Sequence, residues 1–496
     1  MGDKMSLSKQ DRRDFLGVLG FGAVASQFSL HSHLFGALPV FAAPSNDRPW
    51  NVVLILVDDM GWRDLSCYGS EFYQTPNIDR LAAQGARFTD AYAGAPVCSP
   101  TRASLLTGQH PARLHLTDWI PGRAPWPTAR MLPARMEQQL ALERKTLAEA
   151  LAESGYISAS IGKWHLGGPQ HYPESQGFAL NVAGNHRGSP SSYFGPFDLP
   201  GLKGGTSDDY LTEKLTEEAE RFIEANREKP FFLYLTEFAV HQPIQARQPV
   251  IDKYQARLRP DDPQQHPAYA AMVESVDVAV GRVVQKLEEV GIADRTVVIL
   301  TSDNGGLIYE GRSKRAVTSN LPLRAGKGHL YEGGIRVPLI IKWPGVTGGK
   351  ACPVPVCSMD LFPSVLQMIG RPASEGLDGQ SLASLLKGSQ RLERQALYWH
   401  YPHYSNQGGV PSGAIRQGDF KLIEFYEDGR LELFNLREDL GETRNLAKAN
   451  PDKAKELQQM LERWRRSVNA TMPESNPGYD PAKSGQGLTG AQSPTH

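Results

Sequence analysis

Apolar positions are densest in NVVLILV at 51–57, where six of seven residues are apolar and no charge interrupts them. A strand with one wet face alternates; a run that is apolar at both parities fits a strand covered on both faces, as in parallel sheets. FFLYL (231–235), TVVIL (296–300) and VPLIIKW (337–343) repeat this texture, and ISASI (157–161) reads as a further strand. Between these runs the apolar positions fall three and four apart: 76–84 before Gly85, 146–154 before Gly155, 211–226, and 268–290 before Gly291. That spacing predicts amphipathic helices with glycine stops. The alternation predicts an α/β fold, a large mostly parallel sheet flanked by helices.

The texture changes near residue 390. Short strands are predicted at 397–400, 413–416, 419–425 and 431–435, with an Asp428-Gly429 turn and a helix over 451–468. This predicts a smaller α+β domain with an antiparallel sheet. The reading divides the chain into a leader (1–43), a catalytic domain (44–385), the C-terminal domain (386–472) and a Pro, Gly and Ser-rich tail (473–496) expected to be disordered. Residues 360–369 read as a closing helix and 372–388 as a linker. The stretches 110–144 and 167–200 read as irregular loops beside a site.

Charge narrows the function. The 53 basic and 54 acidic residues nearly cancel, which speaks against a nucleic-acid binder or a polybasic membrane anchor. Four cysteines are too few for a disulfide framework. Cys67 reads as a small buried hydrophobe, and a Cys352 to Cys357 bridge stays open because spacing does not fix geometry. Near the start, Arg12 and Arg13 precede Asp14-Phe15-Leu16 and a glycine-rich apolar run to Val24, too short for a membrane span. With Val40 and Ala42 as a small-residue cleavage site, this reads as a twin-arginine export signal. The expected partner is the export machinery, and the expected location periplasmic or secreted.

Candidate chemistry lies where the strands end, the edge at which open α/β sheets bind ligands. The first releases Asp58 and Asp59, the second Lys163 and His165, the third leads to His241, and the fourth to Asp303 and Asn304. Lys327 follows in the glycine-rich RAGKGHLYEGGIRVP. Adjacent buried carboxylates need a cation beside them. Oxygen-only donors suit calcium or magnesium and not zinc. In CSPTRASLLTGQ (98–109), Ser99 reads as a helix N-cap, Pro100 as the first helical residue and Gly108 as the stop. Cys98 then stands at a helix mouth with Arg102 one turn in, a setting for an oxyanion. The phosphatase loop built on a thiolate needs arginine where Ser104 stands.

CSPTR followed by ASLLTG resembles the signature of the sulfatase family, and GKWHLG (162–167) and TSDNG (301–305) resemble two further blocks of it. Many members carry serine at the position of Thr101. The resemblance implies an alkaline-phosphatase-like fold and a sulfuric ester hydrolase whose Cys98 is oxidised to formylglycine by a maturation enzyme reading Cys-x-Pro-x-Arg. It also implies calcium held by Asp58, Asp59, Asp303 and Asn304 together with residue 98. Arg102, Lys163 and Lys327 would stabilise the sulfuryl oxygens, His241 would protonate the leaving alcohol, and His165 would take a proton from the hydrated aldehyde. HLTDWIPG and the HYPES to SYFGPF stretch resemble bacterial exo-acting carbohydrate sulfatases of sulfated galactose or N-acetylgalactosamine. His171, Tyr172, His186, Arg187 and Tyr193 are then candidate sugar contacts. The alternatives are a broad arylsulfatase, or a phosphatase or phosphonate monoester hydrolase of the same superfold. A non-catalytic sugar-binding relative would have no need of both lysines and both histidines.

Overall fold

NVVLILV forms β1 (Asn51–Val57), with every residue buried. It lies inside an eight-stranded sheet whose other members, in chain order, are β2 (Ala86–Phe88), β3 (Ile157–Gly162), β4 (Leu180–Val182), β5 (Phe231–Thr236), β6 (Thr296–Ser302), β7 (Leu339–Lys342) and β8 (Lys350–Cys352). The spatial order is β8-β2-β7-β6-β1-β5-β3-β4. From β6 to β4 all neighbours are parallel; β7 runs antiparallel to both β6 and β2. This is the mixed, mostly parallel α/β sheet expected. The computed structural model describes residues 49–123, 128–310, 315–372 and 374–483. The export-signal reading of 1–43 and the end of the tail fall outside them.

The period of two sorts β1 between two cores. Val53, Ile55 and Val57 join a cluster with α1 (Pro76–Gln84), α4 (Leu211–Ala225) and α5 (Pro267–Glu289); Val52, Leu54 and Leu56 join another with α2 (Cys98–Thr107), α3 (Leu147–Ala152) and α6 (Leu361–Met368). Each such side chain contributes roughly 1.5–3 kcal/mol on burial. The same register fixes the site. Val57 pairs with Ser302, Leu56 with Thr236, and Gly162 with Thr236. Asp58, Asp303, Glu237 and Lys163, each the next residue along, therefore leave the sheet at one edge.

The C-terminal strands β9 (Leu397–Tyr401), β10 (Ser412–Gln417), β11 (Phe420–Phe425) and β12 (Leu431–Asn435) form the expected antiparallel sheet in sequence order. Helix α7 (Pro451–Ser467) covers one face through Leu457 and Leu461 against Ile415, Leu422 and Leu433. The other face, with Trp399, Ala414, Ile423 and Phe434, packs on Tyr92, Val97 and Ile335. Both sheets belong to one compact unit.

Local departures have local causes. Leu180–Val182, read as loop, adds an edge strand, too short to show a period. Residues 372–388, read as linker, carry a helical turn (Ala383–Leu386) whose Leu385 and Leu386 are buried, as is Leu382 at its N-cap. In the region expected to be disordered, Glu474 and Ser475 pair with Leu132 and Met131. Cys67, Cys98, Cys352 and Cys357 are all free thiols. Among the described residues no helix is long and apolar enough to cross a membrane.

Candidate active site

The cap of α2 sits two residues earlier than the sequence suggested. Val97, with extended backbone, is the N-cap, and Cys98 is itself the first helical residue. The Ser99 hydroxyl, not needed as a cap, donates to the His165 carbonyl at 3.0 Å and accepts the Ile120 N–H at 3.1 Å. Gly108 ends the helix in the left-handed region at φ 67°, as expected. Cys98 is 3% exposed.

Every sequence-derived catalytic and metal candidate converges here. Arg102 is fully buried; its Nε donates to Asp303 Oδ2 at 2.9 Å and its Nη1 to the Lys163 carbonyl at 2.9 Å. Lys163 Nζ reaches Asp58 Oδ2 at 2.6 Å, and Lys327 Nζ reaches Asp59 Oδ1 at 2.7 Å. Asn304 Nδ2 donates to Asp59 Oδ1 at 2.8 Å, and the Asp59 N–H to Asp303 Oδ1 at 3.2 Å. Three carboxylates thus face three cations in a buried site. Asp59 and His165 hold φ of 60° and 59°, a left-handed backbone uncommon outside glycine. Such strain persists where surrounding contacts over-determine it, typically at functional sites.

The two histidines have fixed tautomers. His165 Nε2 lies 2.6 Å from the Ile120 carbonyl, so that nitrogen carries the hydrogen and Nδ1, 3.4 Å from Cys98 Sγ, presents a lone pair. His241 Nδ1 donates to the Gln242 carbonyl at 2.8 Å, which leaves Nε2 as acceptor, 3.7 Å from Asp59 Oδ2. Burial, then Lys163, pushes the His165 pKa down. Burial, then Lys327, pulls His241 to about 3 against the opposing pull of Asp59. Burial raises Asp58, with Asp303 and Asp59 adding to it against Lys163 and Arg102. For Asp59 burial acts in the same direction, but Lys327 and His241 outweigh it and hold the carboxyl low.

The donor set fits a hard cation. Asp58 Oδ1 and Asn304 Oδ1 are buried oxygens without a hydrogen-bond partner, a cost that native structures rarely leave uncompensated. Asp58, Asp59 and His241 also bring one ligand atom each to within 4.8 Å of one another. The oxygen-rich set matches calcium or magnesium.

The loop contacts divide. Tyr193 is wholly buried, and its hydroxyl donates to the Phe238 and His241 carbonyls at 2.6 and 2.8 Å, so it holds the His241 turn and offers no ring to a ligand. His171 and Tyr172 are half-buried; His186 and Arg187 are exposed. The Tyr172 ring stacks on His186. The loop passes tightly over the centre: a Cβ on Gly188 would lie 2.6 Å from His165 Cε1.

Two buried acids are absent from the sequence-derived candidates. Asp118, within HLTDWIPG, accepts from the Tyr401 hydroxyl at 2.9 Å, and burial raises it to about 7. Glu237 directly follows β5 with both carboxylate oxygens unpartnered, and burial raises it to about 8. The signal that marks Asp58, an acid closing an apolar strand, is present at Glu237 too.

The sulfatase family model matches residues 50–371, well over half the chain. The chain belongs to the sulfatase family. It is a sulfuric ester hydrolase, and residues 325–469 of this sulfatase also match the C-terminal region of N-sulphoglucosamine sulphohydrolase. A sulfatase of Formosa agariphila is 32% identical, over 88% of this chain and 93% of its own. Human N-acetylgalactosamine-6-sulfatase is 34% identical over 71% of this chain and 68% of its own. A solved structure, Ps i-CgsB in complex with k-i-k-neocarrahexaose, superposes with TM-score 0.71 at 28% identity, covering 89% of this chain and 97% of that one. This sulfatase thus resembles bacterial carbohydrate sulfatases.

Proposed function

We propose that this sulfatase removes sulfate from a sulfated carbohydrate, galactose or N-acetylgalactosamine units of a glycan, with formylglycine made from Cys98 and a calcium ion. The observation that carries this reading is Cys98 at the first position of α2, 3.4 Å from the lone-pair nitrogen of His165 and beside a shell of three cations and oxygen donors. The N-acetylgalactosamine-6-sulfatase relatives and the carbohydrate complex among the solved neighbours support the substrate class.

Asp58, Asp59, Asp303 and Asn304, with residue 98, would hold the cation, which supplies positive charge against the sulfuryl oxygens and lowers the proton affinity of a bound oxygen. Magnesium suits the same donors. Formylglycine, hydrated, supplies an oxygen nucleophile matched to a hard ion, where a thiolate is soft. The residues of the chain do the rest. Arg102, Lys163 and Lys327 oppose the charge of the transferring group in a buried setting where such interactions are strong. His165 Nδ1 accepts a proton from the hydroxyl on residue 98, its tautomer held by Ile120. His241 Nε2 delivers a proton to the departing oxygen. Burial, then Lys327, keeps His241 neutral in the free chain; an anion arriving beside Lys327 offsets the second of these and favours a proton on Nε2.

The chain architecture follows the same reading: a leader over 1–43 exported by the twin-arginine route to the periplasm or beyond, a catalytic domain over 44–385, a C-terminal domain over 386–472 and a tail, with a maturation enzyme acting on Cys98. A panel of monosulfated galactose, N-acetylgalactosamine and glucosamine, with an aryl sulfate and an aryl phosphate alongside, tests the reading. Turnover of the galacto-configured sugars above the others is expected. Aryl sulfate as the sole good substrate would favour the broad arylsulfatase, for which the 34% identity to human arylsulfatase A speaks; preference for aryl phosphate would favour the phosphatase or phosphonate alternative.

A further inference from the structure

Lys327 Nζ and Asp59 meet at 2.7 Å, yet they come from segments far apart in sequence, the loop after β6 and the turn after β1. A third buried acid, Asp64, which the roles proposed above leave unused, stands where those segments join. It is fully buried and accepts four hydrogen bonds. Oδ2 takes the Gly61 N–H at 2.8 Å and the Tyr269 hydroxyl of α5 at 2.6 Å. Oδ1 takes the Thr318 hydroxyl at 2.8 Å and the Gln264 side-chain amide at 3.0 Å. An ionised carboxylate accepts all four; an amide in its place would turn a donor towards donors.

These contacts lead to both halves of the pair. On one side, Gly61 closes the turn that holds Asp59 at its left-handed φ of 60°, and the Tyr269 hydroxyl lies 3.4 Å from the Asp59 carbonyl. The Met60 N–H donates to Ser302 Oγ at 3.0 Å, so β6 grips the same turn from beyond. On the other side, the Thr318 hydroxyl has one hydrogen, which goes to Asp64, and the Tyr73 hydroxyl 3.0 Å away donates to it in turn. Two residues on, Asn320 Nδ2 donates to the Gly306 and Ala325 carbonyls at 3.0 and 3.1 Å, and the Lys327 N–H donates to that Gly306 carbonyl at 3.1 Å. The two halves are in contact: a Cβ on Gly306 would lie 3.2 Å from Gly61 Cα. We infer that Asp64, linked through Thr318, is a positioning residue that sets the Asp59 carboxylate against the Lys327 ammonium and so tunes both cation affinity and the charge facing the sulfuryl group. This rests on the roles proposed above for Asp59 and Lys327.

The test uses Asp64→Asn, Thr318→Val, which keeps the shape and removes the hydroxyl, and Thr318→Ser, which restores it. Calcium affinity is measured by competition with a chelator, and kcat and KM on a sulfate ester that the wild type turns over, with residue 98 modified to an equal extent in every protein. Partners behind a metal ligand typically carry about 10–100-fold in affinity or activity, and a group displaced by about 1 Å can lose about a hundred-fold in rate. Thr318→Val should therefore weaken calcium binding and lower kcat by roughly ten-fold each, Asp64→Asn by more, and Thr318→Ser should recover both to within about three-fold. Should Asp64→Asn fail to fold, the Val and Ser pair decides alone. Calcium affinity and kcat equal to wild type in Thr318→Val, with only the unfolding midpoint in calcium-free buffer lowered, overturns the inference, as does equal loss in Thr318→Val and Thr318→Ser. Wild-type enzyme that binds neither calcium nor magnesium overturns the cation reading instead; kcat then judges the placement of Lys327, and an unchanged kcat in Thr318→Val overturns that too.

Discussion

A histidine accepts a proton only at the nitrogen that lacks one, and His165 has that choice made for it by a single carbonyl, Ile120, 2.6 Å from Nε2. The consequence is directional: Nδ1 addresses residue 98. If residue 98 is formylglycine, peptide mass spectrometry of active enzyme will show the Cys98 peptide lighter than its thiol form, and Cys98→Ala will be inactive; full activity with an unmodified thiol would refute the mechanism. Asp303→Asn keeps an acceptor for Arg102 but removes a charge from the proposed cation shell. Metal analysis should show loss of bound calcium, with turnover down about a hundred-fold or more. Glu237 offers a test of burial. Its folded pKa of about 8 lies above the ordinary 4.5, so the folded chain keeps a proton that the unfolded chain has released. Stability therefore falls as pH rises from 4.5 towards 8 and levels off beyond, by at most about 5 kcal/mol. Glu237→Gln should flatten that slope and unfold at a higher temperature than wild type at alkaline pH, as scanning calorimetry across pH would show.

At the scale of elements, the strands and long helices were legible because each carries a period long enough to read. Asn51–Val57, Phe231–Thr236, Pro267–Glu289 and the four C-terminal strands stand where the pattern put them. The start of α2 was misplaced because a serine before proline is a good cap in isolation, and tertiary contacts to His165 and Ile120 claimed its hydroxyl. The site residues at strand ends were legible for the same reason as the strands; the segment 116–120 stood out only by the likeness of HLTDWIPG, and its contacts did not, because its partners are distant in sequence. Thr117 Oγ1 lies 2.8 Å from His403 Nε2, Asp118 accepts from Tyr401, and Ile120 holds both His165 and Ser99. The C-terminal sheet thereby steadies His165, the proposed proton acceptor, through this segment. Tyr401→Phe removes one tie without changing shape. It should lower kcat several-fold with KM nearly unchanged, since the cations proposed to bind the sulfuryl group are untouched; an unchanged kcat, measured with residue 98 modified to an equal extent in both proteins, would show that the tie serves only folding.

For the whole molecule the decisive contact is a buried charged network joining the two sheets. Glu332, on the loop side of β7, accepts from Lys421 of β11 at 2.9 Å and from Arg336 at 2.6 Å; Lys421 also reaches Glu442 at 2.9 Å, and Arg416 of β10 reaches Asp90 at 2.7 Å. Lys421, Glu332 and Glu442 are all 0% exposed. A charge in such a place is tolerable only with its partners present, because desolvation costs several kcal/mol per ion and only close opposite charges offset it. The C-terminal sheet is therefore poorly suited to stand alone: separated from residues 90–336 it would expose Trp399 and Phe434 and leave Lys421 without Glu332. The sequence, with its change of texture near residue 390, reads as two domains; the physics of this interface argues that they unfold together. Two measurements bear on this. Lys421→Met should cost about 3–5 kcal/mol by leaving Glu332 and Glu442 under-compensated, and scanning calorimetry of the intact enzyme should give one cooperative transition. Two separated transitions, or a soluble folded fragment of 386–472, would show instead that the network is incidental to the union of the sheets.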